Sequence, residues 1–175
     1  MKEEGVIQSP RRQKRTPRRY LAPSSFRDSR AQEQTAYRSI DMPAEQFLGK
    51  KYKLSSSENF DDFMKALGVG MVTRKMGATV SPVVELTESN GVYTLKTTST
   101  FKSSEIKFKL GEEFDEETPD GRNVKSVCTF DGDKLLQIQK GEHETTIERE
   151  FSDSEMKAIM KVGDIVCTRV YKLQE

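Results

Sequence analysis

The sequence is poor in the residues that build metal centres, disulfide frameworks and nucleophilic catalytic sites. It has a single histidine, His143, only two cysteines, Cys128 and Cys167, and no tryptophan. One histidine and two distant cysteines give neither a metal-ligand spacing nor a Cys/His dyad. No nucleophile-elbow, phosphate-loop or dinucleotide-binding glycine motif occurs. We therefore expect a protein that is not an enzyme and that needs no cofactor and no metal.

Long hydrophobic runs are also missing. The apolar runs are a few residues long, whereas a bilayer-spanning helix needs about 20 apolar residues and a signal peptide about 7–15. Hydrophobic residues make up 34% of the chain and charged residues 33%. Two cysteines cannot build a disulfide framework, which favours a reducing compartment. The length of 175 residues fits one domain with a tail. We expect an intracellular protein, with a monomer as the default state.

Charge divides the chain near residue 42. Residues 1–42 carry ten basic and five acidic side chains, about +5, which leaves about −4 on the rest. This first part is rich in Pro, Ser, Gln and Arg without hydrophobic periodicity, so we predict a disordered extension over 1–42. Its run RRQKRTPRR leaves contact with nucleic acid or an anionic lipid surface as an alternative activity. Aromatic residues are sparse around it, so nucleic acid is the less expected partner.

Two short helices are predicted near the start of the patterned region, 43–175. Apolar residues of the first helix recur at i, i+3, i+4 and i+7, at Phe60, Phe63, Met64 and Leu67. Ser57 or Asn59 is the expected N-cap, and Gly68 the expected end. A second helix is predicted from Val69 to Met76, ended by Gly77.

The remainder reads as strands separated by turn residues. Asn90-Gly91 is the strongest hairpin signal. Ten consecutive antiparallel strands favour closure into an up-and-down barrel, since closure removes exposed edges. An all-β barrel of this size leaves a cavity. The acidic run EEFDEETPD is read as a solvated strand and turn. The strands are predicted at 47–54, 82–88, 92–98, 102–110, 113–118, 123–130, 134–140, 144–151, 155–162 and 165–173.

Two arginines share strand faces with apolar neighbours. Alternation places Arg149 with Ile147 and Phe151, and places Arg169 with Cys167 and Tyr171. If both faces point inward, two guanidiniums and a phenol meet one cavity and require an anion, and a carboxylate suits the planar fork of arginine. The alternative is that both arginines lie on the surface or pair with acids such as Glu144, Glu148 or Glu150.

Ordered motifs over about residues 43–175 resemble the intracellular fatty-acid-binding protein family. They include FLGKKYKLSSSENFDDFMKALGVG, TSTFKSSEIKFKLGEEFDEETPDGRNVKS, LLQIQKGEHETTIEREF and CTRVYKL. The resemblance implies a ten-stranded β-clam capped by a helix-turn-helix and enclosing a long-chain fatty acid. It implies a cytoplasmic carrier that delivers fatty acids between membranes, enzymes or the nucleus, so the nucleus is a second possible location. A carrier of retinoic acid is the alternative.

The same resemblance assigns site residues. It implies that Arg149, Arg169 and Tyr171 hold the ligand carboxylate. It also implies a portal between the helices and the barrel rim. Near the portal, Lys65, Arg74 and Lys75 are candidates for a basic patch, which in some members of the family is linked to transient membrane contact or nuclear entry; the alternative is an ordinary solvated helix face. The implied portal and cavity residues are Phe60, Met64, Val69, Thr73, Pro82, Ser99, Phe101, Lys102 and Asp120.

Overall fold

A computed structural model of the chain describes residues 46–175. The predicted extension over 1–42 lies outside the described residues. Ten β-strands and two α-helices follow one another in the described part. Their bounds are β1 Lys51–Glu58, α1 Phe60–Ala66, α2 Met71–Thr79, β2 Val83–Ser89, β3 Val92–Thr98, β4 Ser104–Phe108, β5 Glu113–Glu117, β6 Asn123–Asp131, β7 Lys134–Lys140, β8 Thr145–Phe151, β9 Glu155–Val162 and β10 Ile165–Leu173.

The ten strands form one antiparallel sheet that curls into a nearly closed barrel. Each strand pairs with its neighbour in the chain except at one place, between β4 and β5, and the order runs β4-β3-β2-β1-β10-β9-β8-β7-β6-β5. Pairing of β1 with β10 joins the two ends of the strand series, Tyr52 opposite Leu173. The Asn90-Gly91 turn has positive φ at both residues, 54° and 78°, as a type I′ hairpin requires. The predicted all-β, up-and-down β-clam is confirmed.

Full closure of the barrel is the part of the prediction that is wrong. Among the ten described strands, β4 and β5 are not hydrogen-bonded to each other and end the sheet on either side of a gap. Side chains span this gap instead of backbone hydrogen bonds. The rings of Phe108 on β4 and Phe114 on β5 stack with centroids 5.9 Å apart, and Tyr93 stacks on Phe108 at 5.7 Å. Aromatic stacking thus holds the two edges together.

The first strand begins four residues later than predicted. Phe47 lies in a short 3-10 turn, and its ring stacks on Phe151 with centroids 5.7 Å apart. Tyr52 meets the other side of Phe151 edge-on at 5.8 Å. Phe47 is 2% exposed although it belongs to no strand. The alternation of apolar and polar residues at 47–50 therefore reflects the packing of this one aromatic ring into the core.

The two helices form the cap, with three differences from the prediction. Asn59 precedes α1 but makes no capping bond; its amide Nδ2 donates to Val166 O (3.2 Å) on β10. At the other end, Gly68 N donates to Lys65 O and Val69 N to Met64 O, which ends α1 as predicted. Helix α2 begins at Met71, two residues after the predicted start, and continues through Gly77 to Thr79. A Cβ on Gly77 would lie 3.3 Å from Cε1 of Phe60, so glycine serves here to bring the helices together.

Residues 46–175 include no helix with the length and apolar character needed to cross a bilayer.

Candidate functional site

A cavity of about 230 Å³ lies inside the barrel beneath the two helices. That volume is many times what a single water molecule needs. Its wall combines apolar side chains, from α1 and from strands that include β2, β3, β4 and β9, with polar side chains on β5, β7, β8 and β10. Such a cavity suits a ligand with an apolar body and a small polar head.

The register of the sheet places the two arginines in one row across three strands. Ala158 on β9 is paired on one side with Arg149 on β8 and on the other side with Arg169 on β10. Two strand spacings of about 4.8 Å therefore separate the two arginine backbones. Ala158 is 3% exposed and lines the cavity between them. Its methyl group leaves room between the guanidiniums for a small anion.

Arg149 is held by a hydrogen-bonded chain of side chains. Its Nη1 donates to Gln137 Oε1 (2.9 Å), and Gln137 Nε2 donates to Glu116 Oε2 (2.7 Å). Glu116 also accepts from Ser126 Oγ (2.5 Å) and Gln139 Nε2 (2.9 Å). Burial lowers the pKa of Arg149.

Arg169 is held in a different way. Its guanidinium carbon lies 4.1 Å from the centroid of the Phe60 ring and 5.7 Å from that of Tyr171. The side chain is 8% exposed, and among the described residues its buried Nε has no hydrogen-bond partner. A buried cation without a hydrogen-bonding partner is costly, so this site favours an anion.

Tyr171 completes the polar wall. Burial raises the pKa of its phenol, although the positive charges of Arg169 and Arg149 act in the opposite direction. The net shift is upward, so the group is a neutral hydroxyl at physiological pH and can donate a hydrogen bond to an anion. Two cations and one hydroxyl donor thus face the same cavity.

The alternative in which the arginines lie on the surface is wrong. Both line the cavity, and within residues 46–175 neither forms an ion pair with an acid. Glu148, one of the acids considered, pairs with Lys134 instead (3.0 Å).

Most of the other predicted residues lie at the cavity or its mouth. Val69 does not line the cavity; it is buried in the cap cluster together with Phe63 and Leu67. Asp120 lines the cavity and pairs with Arg122. Burial would raise the pKa of Asp120, but hydrogen bonds from Arg122 and Thr118 outweigh burial and lower it. The other predicted residues that line the cavity are Phe60, Met64, Thr73, Pro82, Ser99, Phe101 and Lys102.

Sequence reasoning missed the acidic centre of the polar wall. Glu116 is 6% exposed, so the interpretation of EEFDEETPD as wholly solvated is wrong. A signal was present, because Glu116 has the same strand parity as Phe114, and Gln137 has the same parity as Leu135. Opposite Glu116, Gln137 and Gln139 are also almost fully buried. Parity with apolar neighbours therefore marked all three as inward-facing.

The fold is matched by known proteins. The profile of the Lipocalin / cytosolic fatty-acid binding protein family matches residues 48–174. The chain belongs to this family. The muscle fatty acid-binding protein of Schistocerca gregaria is 52% identical over 131 residues, which cover 74% of this chain and 98% of that protein.

Two solved structures are similar as well. A fatty-acid-binding protein from the brain tissue of Drosophila melanogaster is 63% identical, with a TM-score of 0.70, covering 72% of this chain and 98% of that one. The Schistosoma mansoni fatty acid binding protein, solved in complex with arachidonic acid, is 46% identical, with a TM-score of 0.73, covering 76% and 99%. Family membership thus agrees with the barrel described above.

Proposed function

We propose that this chain is an intracellular carrier that binds one long-chain fatty acid inside the barrel. The carboxylate is bound by Arg149, Arg169 and Tyr171, and the acyl chain lies along the apolar wall towards the helical cap. The observation that carries the proposal is the buried guanidinium of Arg169, whose Nε has no partner among residues 46–175. Such a group requires an anion, and the described residues place none beside it. The similar proteins described as fatty-acid-binding support this choice of anion.

The free energies of burial and of association indicate that burial of the acyl tail drives binding. Burial of about 15 methylenes at about 0.8 kcal/mol each gives about 12 kcal/mol of gross driving force. Association costs about 4–15 kcal/mol, so the tail alone gives marginal affinity. Head recognition then decides between acids and neutral analogues, since the unpaired arginine gains an ionic partner only from an acid.

The test has two arms. Mass spectrometry of lipid extracted from gently purified protein is expected to find fatty acids, and a retinoid instead would favour a retinoic-acid carrier. Calorimetric titration of the delipidated protein is expected to give palmitate an affinity tenfold or more above that of methyl palmitate. Equal affinity for the two would contradict the carboxylate assignment.

We further propose that the cap makes the transient membrane contact. Helix α2 exposes three large apolar side chains, Met71, Val72 and Met76, at 60%, 74% and 40%. Phe101 on the barrel rim is also exposed, at 47%. Exposed apolar groups of this kind fit insertion into the lipid interface. Arg74 is not part of a free basic patch, because its guanidinium bonds Asp61 Oδ1 (2.9 Å) and Val69 O (3.1 Å).

Val72→Ser tests the membrane contact, because Val72 has little packing to lose. Transfer of a fluorescent fatty acid to vesicles is expected to slow and to lose its dependence on vesicle concentration, with unchanged equilibrium affinity. A serine substitution at the exposed Val166, on the barrel, is the control. Equal transfer rates for parent and Val72→Ser would contradict the contact. The cytoplasm is the proposed location, and entry into the nucleus belongs to the same proposal.

A further inference from the structure

The aromatic ring of Phe60 lies between the head-binding site and the cap. One neighbour is Arg169, whose guanidinium carbon is 4.1 Å from the ring centroid. Another is Gly77 on α2, where a Cβ would lie 3.3 Å from Cε1 of the ring. Phe60 is also the first residue of α1, next to Asn59, whose amide is bonded to β10 at Val166 O (3.2 Å). The ring therefore has little freedom to move away from Arg169.

The two arginines differ in what fixes them. Arg149 bonds Gln137, which is anchored on Glu116, so its position is set by the barrel wall. Arg169 has no comparable bond in the described part of the chain, and the rings of Phe60 and Tyr171 are its recorded partners. Of these two contacts the one to Phe60 is shorter by more than an ångström. The closer of the two rings against this guanidinium therefore comes from the cap and not from the sheet.

We propose that Phe60 is a positioning residue for the carboxylate: its ring stacks on Arg169 and holds the guanidinium in the orientation that receives the ligand head. The stack uses the π face of the ring and consumes no ordinary hydrogen bond, so the N–H groups of Arg169 stay free for the carboxylate. Preorganisation of this kind improves affinity by lowering the ordering cost that binding would otherwise carry. The inference rests on the proposed function, because it assumes that Arg169 binds an acid.

The contribution is specific to acids. Phe60 also lines the cavity, so any smaller side chain there weakens contact with the acyl chain for every ligand. Only the part of the affinity loss that acts through Arg169 distinguishes an acid from its methyl ester. The ratio of acid affinity to ester affinity therefore isolates the positioning role from apolar packing.

The experiment compares Phe60→Leu with Phe60→Tyr in the delipidated protein, using palmitate and methyl palmitate in calorimetry. Phe60→Leu is expected to lower the acid-to-ester ratio about three- to tenfold, the range of a cation–π contact that is lost. Phe60→Tyr retains an aromatic face and is expected to keep the parent ratio. The matched control is Phe101→Leu, which removes another cavity-lining aromatic that stacks on no cation within residues 46–175 and should leave the ratio unchanged.

A second measurement reads the stack directly. The side-chain Nε–H of Arg169 is expected to show an upfield ring-current shift in NMR spectra of the parent and of Phe60→Tyr, and to lose it in Phe60→Leu. A parent acid-to-ester ratio near one would overturn the proposed function. A large parent ratio that Phe60→Leu leaves unchanged, or an Arg169 resonance that does not respond to the substitution, would overturn the role of Phe60 alone.

Discussion

Replacing each arginine by methionine should separate their contributions to binding from their contributions to stability. Methionine has a long flexible side chain that fills much of the same space without charge. Arg169→Met removes a buried cation that has no hydrogen bond at Nε, at the cost of the stack on Phe60. The stack is worth about 0.5–2 kcal/mol, and burial of an unpaired charge costs at least as much. The free energy of unfolding of the delipidated protein should therefore stay within about 1 kcal/mol of the parent or rise.

Arg149→Met should behave differently. It leaves Gln137 Oε1 without its donor and Glu116 without the nearby cation that the Gln137 amide connects to it. An unsatisfied buried acceptor costs about 1–3 kcal/mol. We expect Arg149→Met to be less stable than Arg169→Met by that amount in urea unfolding monitored by circular dichroism. Relief of the desolvation that lowers the Arg149 pKa offsets part of the loss.

Both variants should lose affinity for the acid. Truncation of one partner of a buried charged contact costs about 2–5 kcal/mol, and ordered water in the cavity softens that cost, so a loss of tenfold or more is expected for palmitate. Methyl palmitate should bind the parent and both variants alike. The reasoning would be refuted if Arg169→Met unfolded at clearly lower urea than Arg149→Met, or if it bound palmitate as tightly as the parent.

Three further predictions follow from individual side chains. Asp120→Asn should lower the free energy of unfolding by about 1 kcal/mol at neutral pH. Because the pKa of Asp120 is lowered in the folded state, this difference from the parent should vanish as the pH falls below 3.8. A difference that stays constant across pH would contradict the ion pair with Arg122. Ala158→Leu should fill the space between the arginines and reduce palmitate affinity tenfold or more in calorimetry, whereas Ala158→Ser should not; full affinity in Ala158→Leu would place the head elsewhere. Cys128 and Cys167 are fully buried, and burial raises their pKa values to about 12 and about 11, so neither should react with a thiol reagent until urea unfolds the protein; rapid labelling of the native protein would refute their burial.

Alternation predicted which residues share a strand face, but it decided neither which face points inward nor how the inward residues are connected. Arg149, Arg169 and Tyr171 share parity with buried apolar neighbours, and the structure places all three on the inner face. The row that joins the two arginines through Ala158 depends on the register of β8, β9 and β10. Register is set by the pairing between strands, so the pattern of residues along each single strand does not specify it.

The prediction failed where tertiary packing overrides a local signal. Gly77 is a poor helix residue, and propensity alone ends α2 there. The close approach of the Phe60 ring favours glycine at that position, and the helix continues to Thr79. Phe47 alternates like a strand residue, yet it lies in a turn because its ring stacks on Phe151. In both cases the deciding contact is with a residue distant in sequence, which local patterns do not record.

The charge inside the barrel supports a ligand with a single negative charge. Asp120 pairs with Arg122, and Lys102 pairs with Glu117 (3.9 Å), so these two pairs contribute no net charge to the cavity wall. Glu116 supplies one negative charge, which the Gln137 amide links to the positive charge of Arg149. Among residues 46–175, Arg169 is then the cavity-lining cation that remains, with aromatic rings rather than an acid beside it. One carboxylate balances that charge, and the binding of a neutral alcohol or ester would leave it unbalanced. Selectivity for an acid head therefore follows from the whole polar wall. Because Glu116 balances the charge of one arginine, the two arginines together require only one ligand carboxylate.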